Sequence, residues 1–143
     1  MTCPRRVAVP ATGVRAWLAR AEPLLTGLAE ALGAAVAATA AVAELTERAA
    51  DPAGRGRALR AVVSGAAEVY VAAARVLGCD PVPDATADDA VRAALRHWIG
   101  VSDALTRAAL DGDAWEVRRL GHALDSDVVT WTEATIALAA AAA

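Results

Sequence analysis

The sequence contains no phenylalanine, lysine, asparagine or glutamine, and among its 143 residues only two are cysteine and two are histidine. The cysteines, Cys3 and Cys79, have no neighbouring Cys or His with which to form a metal motif. This favours free thiols in a reducing cytoplasm over a disulfide framework. Too few Cys and His are present for a zinc site, and the Glu-x-x-His motif of di-iron bundles is absent. We therefore expect neither a metal nor a cofactor.

Features that would indicate nucleic-acid or membrane partners are also missing. The net charge is −3, and both signs are mixed along the chain, which predicts solvated helix faces. The amino terminus lacks the apolar run of a signal peptide. The longest charge-free run, residues 31–43, is too short to cross a bilayer of roughly 30 Å. The sequence predicts a cytoplasmic protein that binds no nucleic acid and no membrane.

The residues that are present predict helices throughout. Hydrophobic residues make up 57% of the chain, and much of that share is alanine, the strongest helix former. Apolar residues recur at spacings of three and four in four long segments, and no segment alternates as a strand would. The exclusive use of arginine as the basic residue indicates a GC-rich genome, such as that of an actinobacterium.

We predict an all-α fold, an up-down antiparallel bundle of four long helices. Residues 12–22 form either a short helix of their own or the kinked start of the first long helix, since the apolar spacing continues in phase through Pro23. An N-terminal arm is expected over residues 1–11 and a single helical-bundle domain over residues 12–143. The short link at Asp111 and Gly112 predicts that the last two helices are antiparallel.

Several residues are typical of helix ends. Asp51 followed by Pro52 predicts a helix start, and Gly78 predicts its end. Thr86 is expected to begin the next helix. Asp113, with Glu116 three residues later, has the spacing of a capping box at the start of the last one.

Helix geometry predicts which side chains meet in the middle of the bundle. In two helices joined by a turn, residues that lie equally far along the chain from that turn are at the same level. This count places Trp98 level with Asp127, and other polar or aromatic side chains lie within about one helical turn of that level. Bundle cores often hold ligand sites, so this level is a candidate site for a small apolar or aromatic ligand. Large side chains packed against alanines explain the same pattern without a ligand. The predicted ligand-binding residues are Trp98, Trp131, Tyr70, Ser102 and Thr39.

Asp127 and His97 are the candidate catalytic residues. Asp127 borders the apolar stripe of the last helix, and His97 lies level with it on the preceding helix, so the two can meet at the interface. A His–Asp pair can orient an imidazole for acid–base chemistry. It can also be a plain ion pair that closes the groove between the helices.

A row of residues on the last helix indicates a partner. Trp115, His122, Val129 and Ile136 recur every seven residues on the side away from the core stripe. The row predicts a homodimer seam. Alternatively, the N-terminal segment covers part of the row and packs Trp17 there.

Taken together, these patterns predict a cytoplasmic helical-bundle protein for protein interaction or small-molecule binding, an accessory protein in an actinobacterium-like host. The alternative is a cofactor-free enzyme of specialised metabolism, of the cyclase or isomerase type. Such an enzyme would use a Trp-lined pocket in the middle of the bundle, with Asp127 and His97 as acid–base groups. A solvent-reached pocket of a few hundred Å³ that contains Asp127 would favour an enzyme or a binder, and a packed middle would favour an interaction protein.

Overall fold

The structure, a computed structural model, describes residues 11–47 and 51–141. Within these ranges the chain is 91% helical and contains no strand, which confirms the all-α class. The helices are α1 Ala11–Glu47, α2 Pro52–Leu77, α3 Ala85–Leu110 and α4 Ala114–Ala141. The predicted N-terminal arm, except Ala11, lies outside the described residues, as does Cys3, whereas Cys79 is a free thiol.

Helix α1 continues through Pro23 without a break, so residues 12–22 are the start of the first helix and not a separate one. A proline inside a helix removes one backbone hydrogen bond. Pro23 lies on the exposed side of α1. The carbonyl that loses its donor there can bond to water, so the interruption is tolerated.

The helix ends follow from local side-chain hydrogen bonds. The Asp51 carboxylate accepts from two backbone N–H groups in the first turn of α2, which begins at Pro52. The predicted start of α3 at Thr86 is wrong, because the Asp84 carboxylate accepts from the backbone N–H of Ala87 at 2.9 Å and caps the helix. Asp113 accepts from the backbone N–H of Glu116 at 3.1 Å, as expected at the start of α4.

Each helix packs against two neighbours: α1 and α3 both contact α2 and α4. Their inward faces form one core cluster, in which the apolar side chains stabilise the fold by leaving water. The largest fully buried side chains are Trp98, Leu28, Leu32, Leu95, Leu105, Leu124, Val42, Val62, Val69 and Val117.

The alanine-rich middle of α1 allows close helix approach on two sides. A Cβ atom added to Gly65 of α2 would stand 3.2 Å from the Ala35 Cα of α1. On the other side, a Cβ added to Gly121 of α4 would stand 2.2 Å from the Thr39 Oγ1 atom. Only glycine fits at this crossing, so Thr39 is buried by contact with α4.

A smaller core cluster closes one end of the bundle. Trp17 and Ala21 of α1 pack with Val82 from the segment between α2 and α3. The Trp17 indole N–H donates to the backbone carbonyl of Asp80 at 2.8 Å. This cluster attaches the start of α1 to the link that precedes α3.

The expectation that Tyr70 faces the core is wrong, because its side chain is 46% exposed. Val69 and Ala73 occupy the inward positions of α2 at this level, and both are fully buried. The helical turn of about 100° per residue then rotates Tyr70 onto the flank of the helix.

One segment of α1, Gly13–Thr46, is long and apolar enough to cross a membrane by length and composition. The core helix of a soluble protein passes the same test. In this bundle Leu28, Leu32 and Val42 of that segment are buried against other helices.

Candidate functional site

A cavity of about 460 Å³ opens between the first part of α3 and the last part of α4. This volume lies within the range of about 300–1,000 Å³ that is usual for small-molecule sites. Several of its lining residues are solvent-exposed, so the cavity is reached from outside. It is lined by Trp17, Leu25, Ala87, Ala90, Val91, Ala93, Ala94, His97, Trp98, Asp127, Thr130, Trp131, Ala134, Thr135 and Leu138.

The cavity arises where the facing side chains are small. On α3, four of the lining residues before Leu95 are alanine, and on α4 the lining includes Ala134. No described residue of α3 before Leu95, and none of α4 after Leu124, is fully buried. The two helices therefore lack the side-chain volume that would fill the space between them.

Two tryptophans form the aromatic wall of the cavity. The Trp98 and Trp131 ring centroids lie 4.8 Å apart, and the ring planes are inclined at 80°. This edge-to-face geometry is one of the favourable arrangements of aromatic pairs. Trp98 is only 2% exposed, whereas Trp131 is partly exposed. Trp98 thus belongs to the packed part of the wall, and Trp131 belongs to its accessible part.

The structure places His97 and Asp127 in contact, as predicted from their equal distance along the chain from the turn between the last two helices. The His97 Nε2 atom and the Asp127 Oδ2 atom are 2.7 Å apart, a short hydrogen bond. The two side chains are 55% and 33% exposed, respectively, so the pair lies at the mouth of the cavity. This polar pair is the main exception to an apolar lining.

The pair has a defined chemical capacity. If Nε2 carries the proton, it donates to the Asp127 carboxylate, and Nδ1 is left with a lone pair. Such an imidazole can take a proton at Nδ1, and the carboxylate then stabilises the imidazolium. The pair can equally bind a polar group of a ligand without any transfer.

The cavity brings together four of the seven residues predicted from the sequence: Trp98, Trp131, His97 and Asp127. The other three do not line it. Tyr70 is exposed on α2, Thr39 lies at the α1–α4 crossing, and Ser102 is buried further along α3. Their role as ligand contacts stays a prediction, and the candidate site does not include them.

Sequence reasoning did not identify the end of the cavity. Trp17, Leu25 and Leu138 close it there, and two of these residues come from α1. The alternative in which Trp17 packs on the row of α4 is wrong, because Trp17 contacts the link between α2 and α3. In the sequence, the sign of that contact was Val82, an apolar residue between two prolines. In the structure its side chain is buried.

The α4 row, Trp115, His122, Val129 and Ile136, is exposed in the single chain. Trp115 is 71% exposed, so nothing in the described part of the chain covers it. Within those same ranges, no group of three or more His, Cys, Asp or Glu residues could hold a metal ion.

No family model, no curated protein and no solved structure matches this chain.

Proposed function

We propose that the protein binds a small apolar or aromatic molecule in the cavity between α3 and α4. The observation that carries the proposal is the cavity itself, about 460 Å³ of solvent-reached space walled by Trp98 and Trp131. An apolar space of this size at a bundle interface is typical of a ligand site. This favours a binder over the pure interaction protein that a filled middle would have indicated.

A fluorescence titration tests the binding proposal. N-phenyl-1-naphthylamine is an apolar probe that brightens when it leaves water, and we expect saturable binding with one probe per chain. Ala134→Trp should abolish it, because the new ring would occupy the cavity that Ala134 lines. Ala137→Trp is the matched control, since Ala137 is an exposed residue of the same helix outside the lining. Equal binding by both variants, or no saturable binding by the native protein, would contradict the proposal.

The second candidate function is a cofactor-free enzyme of the cyclase or isomerase type, and the His97–Asp127 hydrogen bond is what favours it. In an isomerisation, His97 Nδ1 would take a proton from a C–H bond beside a carbonyl and return it to another atom of the same molecule. No net oxidation occurs, and Asp127 balances the imidazolium charge. The exposure of both side chains weakens such a charge pair, so binding remains our first proposal.

Proton exchange distinguishes the two functions. 2-Tetralone, a bicyclic ketone with acidic C–H bonds, can be incubated with the protein in D₂O and followed by NMR. An enzyme would accelerate deuterium uptake, and Asp127→Asn would remove the acceleration while probe binding persists. If the native protein does not raise the rate of deuterium uptake above that in buffer alone, the enzyme proposal is wrong and only the binding function stays.

We also propose the up-down antiparallel order for the four helices, within one domain over residues 12–143. Two contacts support it. Trp17 near the start of α1 reaches Asp80 beyond the end of α2, and Arg55 near the start of α2 donates to the Gly112 carbonyl between α3 and α4 at 3.0 Å. Spin labels at positions 20 and 75 should then lie close together, and labels at 20 and 57 far apart. The opposite order of distances would overturn the topology.

We propose a homodimer formed through the α4 row. Two copies of α4 packed antiparallel would set Trp115 against Ile136 and His122 against Val129, which buries the whole row symmetrically. Sedimentation should give a dimer that Trp115→Glu converts to a monomer. A native protein that is monomeric at high concentration would contradict this arrangement.

A cytoplasmic location is proposed as well, since the apolar side of α1 is already used inside the bundle. Cell fractionation should recover the protein in the soluble fraction. Recovery with the membranes would instead favour a spanning role for Gly13–Thr46.

A further inference from the structure

The polar side chains that line the cavity offer a ligand acceptors more readily than donors. Thr130 and Thr135 donate their hydroxyl hydrogens to backbone carbonyls one turn back on α4, at 3.2 Å and 2.9 Å. His97 Nε2 is hydrogen-bonded to the Asp127 carboxylate. A hydroxyl oxygen keeps its lone pairs when its hydrogen is donated, and a carboxylate has about four acceptor sites. A ligand group that donates hydrogen bonds therefore matches this lining.

The charge around the cavity is negative. The lining residues fall within residues 17–25, 87–98 and 127–138. These segments contain five carboxylates, three arginines and one histidine, which gives a net charge of −2 with the histidine neutral. Among the described residues that line the cavity, Asp127 is the only acid and none is arginine. The local field therefore attracts cations to the cavity.

Asp127 lies beside the accessible tryptophan of the wall. Asp127 and Trp131 are four residues apart on α4, so their side chains are neighbours on one face of the helix. Both line the cavity, and both are partly exposed. A cation that binds the carboxylate can also lie against the indole ring, which attracts it through the negative face of the aromatic system. A carboxylate and an indole together are suited to an ammonium group.

The two ends of the cavity differ in what they can accommodate. The Asp127 side chain at the mouth is partly exposed, so an ammonium group paired with it keeps part of its hydration. The far end is closed by Trp17, Leu25 and Leu138. A charged group placed there would lose its hydration at a large cost in free energy. The cavity thus suits a molecule with one cationic end and an apolar body.

We infer that the ligand is an amine with an apolar or aromatic body, and that its ammonium group binds the Asp127 carboxylate at the mouth of the cavity. The inference rests on the proposed binding function and names its ligand class. The ammonium N–H groups donate to the carboxylate, with the Trp131 ring alongside. A neutral His97 that donates through Nε2 leaves the His97–Asp127 pair with one net negative charge, which the ammonium balances.

A matched pair of probes tests the inference. 1-Naphthylmethylamine and 1-ethylnaphthalene have the same ring system and nearly the same shape, and they differ in an ammonium group that replaces a methyl group. Their affinities can be measured by displacement of N-phenyl-1-naphthylamine. The affinity ratio, amine over hydrocarbon, is compared between proteins, so that the different hydration of the two probes cancels. Asp127→Asn should lower this ratio by about 3- to 10-fold, the effect of one partly exposed charged hydrogen bond.

Asp125→Asn is the matched control, because it removes the same charge from an exposed residue of α4 outside the lining and should leave the ratio essentially unchanged. An unchanged ratio in Asp127→Asn, or an equal fall in both variants, would overturn the inference while binding itself stands. If 1-naphthoate binds the native protein more tightly than the amine does, the mouth prefers anions and the inference is wrong. Failure of the native protein to bind any of the probes would instead overturn the binding proposal.

An NMR measurement on the native protein covers the case in which Asp127→Asn disturbs the fold. With 1-naphthylmethylamine bound, the methylene protons next to the ammonium group should show nuclear Overhauser effects to the Asp127 side chain, because the ammonium lies at the mouth. Effects from this methylene to Leu138 at the far end, with none to Asp127, would show that the amine binds in the reverse orientation and would overturn the inference.

Discussion

The two ends of the α3–α4 pair are built differently. The link half, residues 95–124, joins the end of α3 to the start of α4 and contains every fully buried residue of the two helices in the described structure. The open half, residues 85–94 and 125–141, contains none and borders the cavity. The same helix pair thus packs tightly at one end and leaves a cavity at the other. The difference lies in side-chain volume: the buried positions of the first half include Leu, Val and Trp, whereas five alanines line the cavity in the second half.

The largest expected difference between the halves is in stability. Leu124→Ala and Leu95→Ala should each lower the free energy of unfolding by about 2–5 kcal/mol, since both side chains are fully buried. Leu138→Ala, in the open half, should cost less than about 1.5 kcal/mol, because that side chain is only partly buried. Urea denaturation measures all three, and equal losses would mean that the halves do not differ in packing.

The helix crossing in the link half gives the next largest effect. Gly121→Ala should destabilise by about 1–3 kcal/mol, because the new methyl would overlap the Thr39 side chain. Gly100→Ala is the matched control, since nothing lies within 4 Å of its added Cβ, and it should stabilise by up to about 1 kcal/mol through helix propensity. Thermal unfolding that shows a gain at both positions would refute the close α1–α4 contact.

A third prediction concerns one substitution made in each half. Ala94→Leu adds volume to the cavity wall and should stabilise by up to about 1 kcal/mol. Ala109→Leu adds the same volume to the packed core and should destabilise by about 1–3 kcal/mol. Denaturant midpoints that move in the same direction for both variants would show that the cavity is not empty space available to a side chain.

The smallest effect is electrostatic and lies at the exposed start of α4. The Arg119 guanidinium forms two hydrogen bonds with the Glu116 carboxylate, which lower the pKa of Glu116 below its ordinary value. A carboxyl whose pKa is lowered by folding stabilises the protein at neutral pH, and that contribution disappears as the pH falls through the lowered pKa. In Arg119→Ala, NMR titration should show the pKa of Glu116 rising, whereas Arg75→Ala should leave it unchanged. If the pKa of Glu116 is the same in Arg119→Ala as in the native protein, the Arg119–Glu116 ion pair does not form.

The sequence predicted the link half better than the open half, for a physical reason. Leu95, Trp98 and Leu105 recur at helical spacing and are buried. The burial of such an apolar stripe can be predicted without knowing where the other helices lie. The His97–Asp127 contact followed from counting along two helices joined by a short link. Both results depend on local geometry.

Whether the helices leave a cavity at that level could not be predicted in the same way. Alanines at inward positions are compatible with two helices in close contact and with two helices that leave a gap. At Gly121 and Thr39 the small residue brings α4 onto α1, whereas at Ala94 and Ala134 small residues border open space. The tertiary arrangement decides between these outcomes. Tyr70 was misplaced because a rotation of one residue on a helix wheel moves a side chain from the core to the flank.

A crystal structure of the protein with N-phenyl-1-naphthylamine tests the central proposal most directly. We expect one probe molecule between α3 and α4, with its rings against Trp98 and Trp131 and the helices essentially where they stand without it. A probe seated only on the exposed α4 row, or α3 and α4 closed together with no space between them, would contradict a ligand site in the open half.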